Sequence, residues 1–93
     1  MENSDTYVVL LIVEQQSEDF ESFKKFELRL AERQWVETGV VTNSWIKTFS
    51  MIEKEDVELD VLSDISEALT ELAIVNLPYA YQIGESKVVL GII

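Results

Sequence analysis

The 93-residue sequence contains no cysteine and no histidine, a single proline, three glycines and only seven basic residues. The first two absences remove zinc fingers, iron–sulfur clusters, thiol nucleophiles, Ser–His–Asp triads and imidazole acid–base chemistry. They also exclude disulfides, which fits a reducing compartment. The longest apolar run, Val8 to Val13, is six residues, against roughly 20 for a membrane-spanning helix. The opening Met1-Glu2-Asn3-Ser4-Asp5 lacks the basic region of a secretory leader. A cytoplasmic location without membrane attachment is therefore expected. Gly39, Gly84 and Gly91 are isolated, so no phosphate-cradling loop, dinucleotide fingerprint or nucleophile elbow is present. No cofactor is expected.

What the chain does have is negative charge: 18 acidic residues against seven basic ones, a net charge of −11. Such a surface repels nucleic-acid phosphates and anionic lipid. Neither is an expected partner, whereas a basic protein is. The same charge also serves plain solubility. Because 47% of the residues are apolar, the charge does not imply disorder, and the length corresponds to one folded domain over 1–93.

Hydrophobic periodicity gives the elements. Thr6 to Val13 is β-branched and aromatic-rich, a strand apolar on both faces and hence a central one covered on both sides. Ser17 is placed to cap a helix running to about Gln34, with Phe20, Phe23, Phe26, Leu30 and Ala31 as its buried stripe. Trp35 to Thr42 and Trp45 to Ile52 read as an antiparallel hairpin turning at Asn43-Ser44. A second helix is expected to start at Asp60 or Ser63, to bury Leu62, Ile65, Leu69, Leu72 and Ala73, and to end before Pro78. Tyr79 to Ile83 is a fourth strand, and Lys87 to Ile93 a last extended run, again apolar on both faces.

The order β-α-β-β-α-β is the split-βαβ signature of the ferredoxin-like α+β fold, here with an extra C-terminal strand and two helices packed on one face of an antiparallel sheet. Such a sheet leaves its other face open, and a large apolar open face is unusual in a monomer. Homodimerisation is the consequence, through the open face or by adding the last strand to a partner's edge. Trp45, Val88, Leu90 and Ile92 are the residues expected at that interface. The rival account folds the last strand back within its own sheet.

Three stretches carry a family resemblance: Thr6-Tyr7-Val8-Val9 as an opening strand, the helix followed by Trp35 and then Ser44-Trp45-Ile46-Lys47-Thr48 as a hairpin, and the extra C-terminal strand. Together they resemble the small Cas-two-like ferredoxin-fold nucleases and the GhoS-like antitoxin ribonucleases. The resemblance implies the fold, a dimer interface that uses the last strand, and endoribonuclease activity. The nuclease members commonly place an Asp near the end of the first strand, where two copies can hold a metal. This sequence has Leu10-Leu11-Ile12-Val13 there, with Glu14 the first carboxylate beyond. No metal site is expected by that route.

Two charged sets are candidate sites. The first, from Glu53 to Glu71, puts eight carboxylates against Lys54 alone. Of these Glu55, Asp56, Glu58, Asp60, Asp64, Glu67 and Glu71 are the candidate partner-binding residues, a face able to dock a basic protein or simply a solvated exterior. Asp60, Asp64, Glu67 and Glu71 fall at helical spacing, where like charges cost stability. The loop lacks the D-x-D-x-D-G pattern of a calcium site. The second set, Lys25, Arg29 and Arg33, recurs every four residues and is the candidate RNA contact, or alternatively a face neutralised by neighbouring carboxylates. The leading reading is a non-enzymatic interaction protein of the immunity-protein, antitoxin or inhibitor kind. The alternative is a Cas-two-like or GhoS-like endoribonuclease.

Overall fold

The computed structural model describes residues 6–14, 20–72, 74, 77–85 and 88–92. The elements are β1 (Thr6–Val13), α1 (Phe20–Glu32), β2 (Val36–Glu37), β3 (Ser44–Ser50), α2 (Lys54–Leu69) and β4 (Tyr79–Gly84). The four strands form one antiparallel sheet of order β2-β3-β1-β4. Both helices lie on one face, so the molecule is an α+β fold of ferredoxin-like order.

β1 is central, as its composition requires. Tyr7, Val9, Leu11 and Val13 alternate into the core. Across the strands they pair with Phe49, Lys47 and Trp45 of β3 and with Ile83, Tyr81 and Tyr79 of β4. Phe23, Phe26 and Leu30 of α1 and Val57, Val61, Ile65 and Ala68 of α2 close the core from above. Phe26 meets Trp45 edge-to-face at 6.3 Å between ring centroids, a geometry that ring quadrupoles favour. The second face of β1 is not covered within the described chain: Val8 and Leu10 are half-buried and Ile12 is exposed.

Several expectations are corrected. β2 is two residues rather than eight. Gly39 takes φ +75° and Asn43 φ +58°, and Thr38 Oγ1 sits 2.6 Å from Ser44 Oγ, which donates to the Val41 carbonyl. Residues 38–43 are thereby folded into a loop, because a hydroxyl near its own backbone competes with strand pairing. Phe20 and Ala31 are exposed, so the buried stripe of α1 is narrower than the apolar pattern. α2 begins six residues before Asp60, with Glu53 as N-cap. Glu55 and Asp56 occupy the first turn, where the helix dipole favours anions. Val57, Val61, Ile65 and Ala68 form the stripe packed into the core, leaving Leu62 exposed and Leu69 and Leu72 half-buried. The expected cap Ser17 and Ala73 of the expected stripe lie outside the described residues, while α2 ends at Leu69 with Thr70 as its C-cap, well before the expected stop ahead of Pro78. Residues 88–92 are not paired with the sheet.

The turn after α1 decides where Trp35 goes. The Gln34 N–H bonds the Ala31 carbonyl and the Trp35 N–H the Leu30 carbonyl, each at 3.0 Å. Gln34 takes φ +69°. These are the paired bonds of a Schellman motif, and the motif brings the residue after the left-handed position against the last turn. Trp35 and Leu30 are accordingly both core residues.

Candidate partner-binding surface

Two different surfaces emerge from the carboxylates that the sequence groups together. Asp64 faces inward from α2. It accepts from the Trp35 indole N–H at 2.9 Å and from Lys47 Nζ at 2.7 Å, with both charged side chains about five-sixths buried. Lys47 in turn lies 4.8 Å from the centroid of Phe49 and 5.8 Å from that of Trp35, so its charge is also stabilised by two ring faces. Glu67 pairs with Arg33, whose Nη2 and Nε lie 3.0 Å and 3.2 Å from its Oε1. Asp64 and Glu67 thus tie α2 to β3 and to α1.

Glu55, Asp56, Glu58 and Asp60 are the other group. All four are exposed, and none has an ion pair with a described residue. On the same outer side of α2, Leu59 and Leu62 are exposed, Leu59 by 66%. The surface is therefore a field of carboxylates around two leucine side chains. Glu71 lies beyond the helix, with φ +65°.

The basic set divides in the same way. Lys25 is exposed. Arg29 reaches across from α1 and donates through Nη1 to the carbonyls of Ala68, at 3.2 Å, and of Thr70. α2 has no basic residue in its own last turn, and Arg29 supplies the cation that a helix C-terminus attracts. Arg33 donates to the Arg29 carbonyl as well as to Glu67. A groove of about 350 Å³ between the helices is lined by Arg29, Glu32, Arg33, Glu67, Thr70 and Glu71. Lys25, Arg29 and Arg33 do not form a shared phosphate-facing stripe, because two of the three are turned onto α2. Their helical spacing is also the spacing that lets one helix grip its neighbour, and nothing local in the sequence separates the two uses.

Trp45 is 1% exposed and belongs to the core. This corrects its expected place at a dimer interface: alternation along β3 turns it to the helices, and Ile46 to the open face. Val88 and Leu90 are half-buried, while Val89 and Ile92 are 93% and 88% exposed. Among strand residues on the open face, including Val8, Leu10, Ile12, Ile46, Ala80 and Gln82, none is charged.

Among the described residues Glu27 is the group whose titration is displaced. Its carboxyl is raised above the usual value, first by burial and then by Glu37, with Lys24 opposing. Among the described residues no three acidic side chains converge as metal ligands. No helix among them is long and apolar enough to cross a membrane.

The fold and the surface together define a small ferredoxin-like α+β protein with an acidic helix face and an open sheet face. No family model, curated protein or solved structure matches the chain.

Proposed function

We propose that this chain is a non-enzymatic binding module that docks a basic protein, in the manner of an immunity protein, antitoxin or inhibitor, through the outer face of α2. The observation that carries the reading is the placement of Leu59 and Leu62 among Glu55, Asp56, Glu58 and Asp60. Solvation alone calls for carboxylates there, not for exposed leucines. A pair of apolar anchors inside a charged rim is the composition of an interface, where the apolar centre holds the partner and the charges steer it. Nucleic acid and anionic membrane fit this surface poorly, since both carry its own sign. Asp64 and Glu67 are engaged by Lys47 and Arg33, and Glu71 lies beyond the helix, so the proposed contact leaves all three out.

The same reading includes a homodimer on the open sheet face. In a chain of net charge −11, an uncharged face is where a second copy approaches with least repulsion, and a two-fold interface must be self-complementary.

The test titrates the full chain with small basic nucleases and other basic nucleic-acid-binding proteins. Tight association is expected, with an on-rate that falls steeply as salt rises. Changing Glu55, Asp56, Glu58 and Asp60 together to Lys should abolish it while circular dichroism stays unchanged. Survival of the complex in that variant overturns the reading.

A further inference from the structure

The two edges of the sheet are built differently. β2 ends the sheet on one side with only Val36–Glu37. β4 ends it on the other with six residues, Tyr-Ala-Tyr-Gln-Ile-Gly, none charged, and among the described residues it pairs only with β1. Proteins usually blunt a long edge strand with a lysine, a proline, a bulge or a covering segment, because its free N–H and C=O groups invite another strand. β4 itself has no lysine, proline or bulge, and no described residue pairs with its outer side.

A carboxylate stands near each end of β4, one directly after it and one on the neighbouring β1 side. Glu85 follows Gly84 directly and is exposed. Glu14 follows β1, and its N–H bonds the Pro78 carbonyl at 2.9 Å, which fixes it beside the start of β4. Glu14 also lines a cleft of about 220 Å³ with Ile12, Pro78, Tyr79 and Ala80. The cleft is apolar apart from that carboxylate. Next to it the rings of Tyr79 and Tyr81 are parallel within 1°, with centroids 6.2 Å apart.

The geometry points to β4 as the docking edge for an extended segment of a protein partner, added as a further strand, with basic residues at both ends and an apolar side chain for the cleft. Backbone pairing would supply affinity, and the end charges and cleft the choice of sequence. The arrangement also selects against a second copy at this edge. A two-fold axis that continues the sheet sets β4 antiparallel to its copy, so the Tyr79 end of one meets the Gly84 end of the other. Glu14, one strand in from the seam, then comes to the same end as the copy's Glu85, twice over, and like charges near an interface disfavour the pairing. The inference shares with the α2 reading only the sign of the partner.

The probe is a capped peptide, Lys-Val-Thr-Val-Thr-Val-Lys, titrated into the isotope-labelled full chain and followed by NMR shifts and amide exchange. Shifts and slowed exchange confined to residues 79–84 are expected. A peptide with Glu replacing both Lys residues should bind about tenfold more weakly or worse. The double variant Glu14→Lys, Glu85→Lys should reverse that preference while keeping the fold. Three results overturn the inference: no protection of 79–84 at millimolar peptide, equal binding of the two peptides, or protection of 79–84 already present in the free protein through residues 88–92 or a second copy. The α2 reversal variant separates the two proposals, because it should bind this peptide unchanged. If the peptide fails while α2 still holds a basic partner, only the edge proposal falls.

Discussion

Lys47 of β3 and Asp64 of α2 meet at 2.7 Å on the sheet side of the helices. This contact turns one member of an acidic helix into a structural residue, with Trp35 sharing the same carboxylate oxygen. Removing one partner of such a pair leaves the other charge poorly solvated, which costs more than the pair is worth. Asp64→Ala should therefore lower stability by about 2–3 kcal/mol. The double change Lys47→Met, Asp64→Leu should recover most of that loss. Urea unfolding followed by tryptophan fluorescence measures both, and a neutral Asp64→Ala would show that the contact contributes nothing.

Arg29 offers a sharp contrast between a framework role and an RNA-binding one. Its guanidinium satisfies carbonyls at the end of α2. Arg29→Ala should destabilise the fold by about 1–2 kcal/mol, and Arg29→Lys by less. Lys25→Ala, at an exposed position, should stay within about 0.5 kcal/mol of wild type. Thermal melts distinguish these outcomes. Equal melting temperatures for Arg29→Ala and Lys25→Ala would contradict the capping role.

Gln34 holds a left-handed φ of +69° at the position where helices most often place glycine. A side chain there strains against its own backbone, and glycine does not. Gln34→Gly should stabilise the protein by about 0.5–1 kcal/mol. The gain is read as a higher midpoint in urea with an unchanged slope.

Glu27 gives a pH dependence of definite sign. Burial, helped by Glu37, raises its carboxyl in the folded state above the ordinary 4.5. The folded protein therefore holds that proton more tightly than the unfolded chain. Its contribution is favourable below the ordinary value and is lost as pH rises through the raised folded value. Glu27→Gln should match wild type in mild acid and exceed it in stability at neutral pH. A difference independent of pH would assign the effect to packing instead.

The homodimer is the most direct of the expectations to check. Sedimentation at about 100 μM, a range that captures ordinary weak association, should show two copies. Ile46→Lys, on the open face beside Leu10, should give a folded monomer. A monomeric wild type removes the dimer.

Much of the architecture is legible in local pattern. The two-faced apolar run Thr6–Val13 identifies a central strand, and Phe23, Phe26 and Leu30 identify the buried side of α1. The charge of −11 and the missing histidine and cysteine bound the chemistry before any coordinates. α2 was harder because its carboxylates look alike in sequence. Val57, Val61, Ile65 and Ala68 do recur at helical spacing, but Leu62, Leu69 and Leu72 compete with them, and a run of acids hides the helix start.

Composition and periodicity by themselves determined the α+β order, the acidic balance and the absence of thiol and imidazole chemistry, because those depend on residue type and short-range spacing. Only the tertiary structure decided which carboxylates are spent on Lys47 and Arg33, that two arginines serve α2, that Trp45 is internal, and that among the described residues β4 pairs with β1 alone. Each of these depends on contacts between residues far apart in the chain, set by how helices rotate and strands register against one another. Neighbours in sequence carry no trace of that rotation.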